Sequence, residues 1–274
     1  QSGDFLESDV DTVTGRIYIT PFDGFQIVNS TRYGETSNGY VLTGLRGGAY
    51  DPDTDTFAPV TLSTHQGNQE VEYFVNQFNV IGQFSTGSVM HNLIVGTEYS
   101  NLQVANGTYD LTENGATNCL VSGRGGTRPG YCITDENRNV LFGDDQIHNL
   151  IQRDIVRGDV DSNWQVETLS VYAMDTVDFT DWLSVHGGIR MDAFSYSNVV
   201  DSRGTVTAYT YSDTLWNGHA GVGIKPMEEV YVYFNYGTAK NINGGESDLG
   251  GNCGYGGICV DDGTGIGDGS PESS

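Results

Sequence analysis

Three features together predict an all-β, antiparallel fold of the transmembrane barrel type. Apolar and polar residues alternate in paired runs, the connections inside each pair are very short, and those between pairs are long and polar. Residues 11–21 run into 25–34 across Phe22-Asp23-Gly24, and 69–84 into 89–102 across Ser85-Thr86-Gly87-Ser88. Residues 165–179 run into 183–197 across Thr180-Asp181-Trp182, and 212–226 into 230–240 across Met227-Glu228-Glu229. The segments 35–68, 103–164, 198–211 and 241–274 are read as long outer loops, with Tyr40, Leu42 and Leu45 as a strand extension. Short turns at one end and long loops at the other are the rhythm of outer-membrane barrels. A compact soluble domain rarely tolerates repeated long connections.

Each strand carries one apolar face. Leu183, Val185, Gly187, Ile189, Met191 and Ala193 alternate with Ser184, His186, Gly188, Arg190 and Asp192. Leu169, Val171, Ala173, Val177 and Phe179 share a face that Asp175 interrupts. Val230, Val232, Phe234 and Tyr236 oppose Tyr231, Tyr233 and Asn235. Leu93, Val95, Thr97 and Tyr99 oppose Asn92, Ile94, Gly96 and Glu98, and Val13, Gly15, Ile17 and Ile19 oppose Thr14, Arg16, Tyr18 and Thr20. One face suits lipid and the other a wet lumen. The rings of Phe22, Phe25, Phe84, Phe179, Trp182 and Tyr231 cluster beside the short turns, where amphipathic aromatics favour a membrane interface. A soluble β-sandwich with capped ends is the competing reading, and the loop rhythm weighs against it.

Composition narrows the function. Twelve Lys+Arg face 36 Asp+Glu, a formal charge of -24, which repels a phosphate backbone and argues against nucleic-acid binding. No apolar run approaches the roughly 20 residues of a membrane-spanning helix. Residues 1–15 are polar and acidic and do not read as a signal peptide.

The four cysteines form two local pairs, Cys119 with Cys132 and Cys253 with Cys259, all read as lying in outer loops and none in strands. Disulfides in an oxidising compartment are the favoured reading, and a thiolate zinc site is the competing one. Asp51, Asp53 and Asp55, and Asp261, Asp262 and Asp268, are weak Ca²⁺ candidates, because neither run completes a twelve-residue calcium loop. The plainer reading is a solvated acidic surface, with bridging to lipopolysaccharide phosphates as the functional one. Ser184, His186 and Asp192 share a face, but Ser184 and His186 stand about 6–7 Å apart along a strand, too far for a nucleophile and its base. No enzyme is expected and no covalently bound cofactor.

Several segments resemble one family. Tyr172, Asp175 and Thr176 before a short turn, followed by Gly188, Arg190 and Asp192, are similar to the middle of the barrel of TonB-dependent outer-membrane receptors, siderophore-receptor branch. His91, Leu93, Gly96, Glu98 and Tyr99 match another stretch of that family, as do Thr31-Arg32-Tyr33, the pair containing Gly221 and Pro226, and Ser270-Pro271-Glu272. The resemblance implies a segment of a 22-stranded barrel whose lumen holds a plug domain. No plug, energy-coupling box or closing strand is readable here, so the chain looks like an internal barrel piece. A closed eight-stranded barrel is the formal alternative.

The resemblance implies uptake of a ferric siderophore, coupled to TonB through the plug, in an outer membrane with lipopolysaccharide as neighbour. A non-transporting adhesive or structural β-protein, a porin, and uptake of a glycan or corrinoid are the alternatives. Candidate ligand contacts are the outer strand ends Arg32, Tyr33, Glu98, Tyr99, Phe194, Tyr196 and Tyr236, with Arg124 and Arg128 between the first two cysteines.

Overall fold

The computed structural model describes residues 3–113, 117–123, 126–142, 151, 153–202 and 204–240. Among these, the strands are β1 (Phe5–Phe22), β2 (Phe25–Arg46), β3 (Tyr50–Asp51), β4 (Thr56–Phe57), β5 (Thr61–Thr86), β6 (Val89–Glu113), β7 (Cys119–Gly123), β8 (Gly126–Gly130), β9 (Arg153–Thr180), β10 (Leu183–Ser202), β11 (Thr205–Met227) and β12 (Val230–Gly237). Eight form one sheet in the order β1-β2-β5-β6-β9-β10-β11-β12, and β3-β4 and β7-β8 form two small ribbons. The order follows the chain apart from the two ribbons, as in a meander of hairpins. Among the described residues β1 and β12 are the end strands of this order, and no pairing between them closes it into a barrel.

Every strand of the expected hairpins is present, and most reach well beyond their expected ends. The expected loop 35–68 is strand up to Arg46 and again from Thr61. Segment 103–164 is strand up to Glu113 and again from Arg153. Segment 198–211 is not a loop at all: β10 and β11 stay paired from Leu183↔Ile224 to Ser202↔Thr205, across a turn in which Gly204 has φ +83°. The reason is physical. Away from lipid both faces of a strand are polar, so backbone pairing continues while the apolar–polar contrast that reveals it vanishes.

Contacts divide the chain into two compact units. One comprises Gln1–Asp9, Ser37–Glu70 and Asn106–Asp161, and the other Val10–Thr36, Val71–Ala105 and Ser162–Ser274.

The second unit is inside-out. Directly paired strand residues point to the same face and neighbours along a strand to opposite faces. Ile189 pairs with Ala173 and Gly218, and Met191 with Val171 and Trp216. This face is apolar and open: Ile189 is 55% exposed and Leu169 and Trp216 are similarly bare. The opposite face holds Ser170 at 1% exposed, beside Tyr172, Glu98, Arg190 and Asp192. A soluble sheet would bury the first face and wet the second, whereas a sheet in lipid reverses that preference. Leu183, Val185, Ile189 and Met191 all lie on the apolar face, as their alternation predicted.

Asp175, which interrupts that face, accepts a hydrogen bond from His91 Nδ1 at 2.7 Å, and His91 Nε2 lies 2.7 Å from Thr86 Oγ1. The pair meets the cost of placing a carboxylate on an apolar surface. Near the turns, Phe22 and Phe25 stand 4.7 Å apart, and Phe84 stacks on Phe25 and on His91. Tyr231 does not belong to this ring cluster. Its hydroxyl reaches over Gly223 beside Ser184, on the polar face.

The first unit contains the ribbons. Cys119 and Cys132 are joined in a disulfide with Cα atoms 5.9 Å apart. Cys119 opens β7 rather than lying in a loop, and Cys132 bridges to Thr61. The segments around 57–62 and 131–136 are laced together: Leu62 N donates to Tyr131 O, Ile133 N to Val60 O, and Phe57 N to Glu136 O. Arg138 lies over the Phe57 ring at 4.8 Å. Asp135 holds the adjoining turn through the amide N–H groups of Asn137 and Asn139 and the Asn139 side chain. Those donors, the Asn139 side chain first, hold its carboxyl below the usual carboxylate range. Arg153, its side chain 0% exposed, meets Asp4 at 2.9 Å, Thr43 at 3.0 Å and Thr64 at 2.7 Å. Cys253, Cys259, Asp261, Asp262, Asp268 and Arg124 lie outside the described residues, and of Arg128 only the backbone pairing with Val121 is described.

Candidate functional site

The polar face of the second unit carries the chemistry. Arg190 on β10 reaches Glu98 on β6 at 2.8 Å and Asp192 at 2.6 Å. Ser170 on β9 donates to Asp192 at 2.6 Å and accepts from Arg190 at 2.8 Å. The guanidinium lies 5.4 Å from the centre of the Tyr172 ring. The Tyr172 hydroxyl donates to Asn79 Oδ1 at 2.5 Å and accepts from Gln77 Nε2 at 2.9 Å. The network thus fastens four consecutive strands, β5, β6, β9 and β10, on one face. One cation here meets two carboxylates, so the cluster keeps a net negative charge and offers little to an anion.

Rings reach across glycines of neighbouring strands on this face. A Cβ on Gly96 would stand 2.6 Å from the Tyr172 hydroxyl, and one on Gly188 2.6 Å from the His219 ring. Between them opens a concavity of about 490 Å³, lined among others by Gln77, Asn79, Tyr172, Arg190, Asn217 and His219.

The sequence candidates divide by face. Arg32 stacks over Tyr73, which also covers Gly34. Tyr73 shares its face with Gln77 four residues on, and so with Tyr172. Arg32, Glu98, Phe194 and Tyr196 therefore share the polar face. Glu98 is engaged by Arg190, and Phe194 is 3% exposed against Tyr211. Tyr33, Tyr99 and Tyr236 point the other way. Tyr33 bonds Glu35 and Glu72, Tyr99 bonds Glu167 at 3.1 Å, and Tyr236 pairs with Ala220 on the apolar face. The expectation grouped residues by height along the strand. Adjacent residues such as Arg32 and Tyr33 cannot both face a lumen. The alternation already places Ser170 opposite Leu169 and Val171, and the same parity adds Tyr73, Gln77 and Asn79 to the polar face.

Ser184 and His186 make no catalytic pair: Ser184 sits by Gly223 and His186 leans over Gly221. Asp51 accepts from the Asp53 amide at 3.0 Å and Asp55 from the Tyr50 hydroxyl at 2.8 Å. The bond to Asp55 raises the Tyr50 pKa above its ordinary value. Among the described residues, no three His, Cys, Asp or Glu side chains gather closely enough to form a metal site from those residue types alone.

Residues 3–267 match the family described as TonB dependent receptor-like, beta-barrel. Over 271 residues the chain is 27% identical to the catecholate siderophore receptor Fiu of Escherichia coli strain K12, covering 89% of this chain and 32% of that protein. It is also 27% identical to the probable TonB-dependent siderophore receptor PiuA of Acinetobacter baumannii, over 82% of this chain and 30% of that one. The chain therefore spans about a third of the length of the curated relatives it matches. The crystal structure of the closed form of Fiu superposes with TM-score 0.66 at 23% identity, over 93% of this chain and 36% of that one. That of PiuA superposes with TM-score 0.65 at 20% identity, over 88% and 33%. The bare apolar face, the polar network behind it and the family match over nearly the whole chain lead to one conclusion: this chain belongs to the β-barrel family of TonB-dependent receptors and is a multi-pass strand segment of a bacterial outer-membrane protein.

Proposed function

We propose that this chain forms part of the wall of a receptor that takes up ferric siderophores, of the catecholate class, across the outer membrane. The observation that carries the reading is the likeness, over 89% of the chain, to receptors named for catecholate siderophores. Arg32 supports it. Its guanidinium lies 5.5 Å from the centre of the Tyr73 ring, and among the described residues it makes no carboxylate pair such as Arg190 makes. A cation on an aromatic platform suits an anionic complex with aromatic ligands. Phe194 and Tyr196 are further contacts in this reading, and Arg128 is a further candidate cation. TonB coupling through a plug and contact with lipopolysaccharide belong to the same proposal. Ca²⁺ gains no support from Asp51, Asp53 and Asp55, whose bonds are local.

The test uses the whole receptor in cells starved of iron. Uptake of radioactive iron as a ferric catecholate is compared with uptake as ferric citrate, for the native protein and Arg32→Ala. Loss of catecholate uptake alone on deleting the receptor, and about tenfold weaker binding in Arg32→Ala, are expected. Absence of siderophore binding and of any iron response overturns the iron reading.

A further inference from the structure

On the polar face, β10, β11 and β12 form two successive rungs. One rung is His186, Gly221 and Asn235, and the next is Gly188, His219 and Gly237. Histidine and glycine thus alternate reciprocally between β10 and β11. Each ring leans across the glycine opposite. The Cε1–Nε2 edge of His186 lies 2.5 Å from the place of a Gly221 Cβ, and His219 Cε1 lies 2.6 Å from that of Gly188. Asn235 Oδ1 reaches the same point above Gly221 as His186 Nε2. The two ring centres stand 6.0 Å apart.

That separation has a chemical meaning. With metal–nitrogen bonds of about 2.0–2.1 Å, two imidazoles on one ion place their centres roughly 5–6 Å apart for angles between tetrahedral and about 140°. Imidazole with an amide oxygen favours borderline transition ions over Ca²⁺ or Mg²⁺, with Cu²⁺ held most tightly and Zn²⁺ or Ni²⁺ less so. The glycines keep the space above the strands free of Cβ atoms. We propose that His186, His219 and Asn235 form a binding site for one divalent transition-metal ion on the polar face of β10–β12, with positions left open for water or another donor. Two imidazoles and one neutral amide make it a weak, exchangeable site rather than a closed structural one. The inference does not depend on the siderophore reading, since it concerns a free ion bound to the protein's own side chains.

The full-length receptor in detergent is titrated with Cu²⁺ and followed by electron paramagnetic resonance. One ion per chain with superhyperfine coupling to two nitrogens is expected. His186→Gln and His219→Gln should each weaken binding at least tenfold, Asn235→Ala a few-fold, and His65→Ala not at all. A measurement on the native protein removes any dependence on variants that misfold: Cu²⁺ should protect His186 and His219 from diethyl pyrocarbonate. A native spectrum without nitrogen coupling, unchanged affinity in the double glutamine variant, or no protection would show that the rings only fill space above the glycines, and would overturn the proposal.

Discussion

Replacing Ile189 by Arg tests the inside-out reading at its most informative position. Ile189 is 55% exposed on the apolar face and begins the seventh position of β10 counted from Leu183. With a rise of about 3.4 Å per residue and a tilt of about 40°, six steps lift it roughly 16 Å above the turn. An apolar band about 25 Å tall has its midplane roughly 12 Å from its lower edge, so Ile189 lies within about 4 Å of the centre. A guanidinium there should cost about 2–4 kcal/mol, and at Val185, only two steps from the strand start, less. Ser184→Arg, one residue from Val185 but on the other face, should change stability by less than about 0.5 kcal/mol. Denaturant unfolding of the whole receptor in phospholipid vesicles measures all three. Equal costs for Ile189→Arg and Ser184→Arg, or a larger cost for the latter, would refute the assignment of faces.

Removing Arg190 with Met should leave Glu98 and Asp192 facing each other half-buried, at a cost of about 2–3 kcal/mol, less than for a fully buried pair because the guanidinium is 36% exposed. Adding Glu98→Gln should recover part of it in a double-mutant cycle. Cys119→Ser should raise protease cleavage of the β7–β8 ribbon, since closing a loop of this length is worth about 3 kcal/mol; unchanged cleavage would mean the lacing to 57–62 suffices alone. Asp135 has a depressed pKa in the fold, so its contribution is present above the unfolded carboxylate value and lost as pH falls through the folded one. Loop proteolysis should therefore rise as pH falls below the ordinary carboxylate value of about 4, and Asp135→Ala should abolish that dependence.

The hairpins were legible because lipid imposes a contrast that sequence displays: Ile189 against Arg190, Val171 against Tyr172. Beyond the lipid the contrast fails. Gly158, Asp159 and Val160 in β9 give no alternating signal, yet they lie in continuous strand. The Cys119–Cys132 pair was readable from local spacing, whereas the lacing of 57–62 to 131–136 was not, because backbone bonds leave no side-chain trace. At the candidate site the residue types were legible and their facing was recoverable but unused. Tyr33, Tyr99 and Tyr236 were chosen for chemistry and height, and parity along the strand sends them away from Arg32 and Glu98.

The rings lying across glycines constrain how such a chain can change. Tyr73 over Gly34, Tyr40 over Gly67, Phe25 over Gly82 and Tyr172 over Gly96 each occupy the volume that a methyl group on the facing strand would need. A single Gly→Ala exchange at these places collides with an aromatic ring, and a single loss of the ring bares a glycine that packs nothing. Tolerated variation should therefore come as paired exchanges across neighbouring strands, small with large. Strand register would then be recorded in covariation between positions that individually look free to drift.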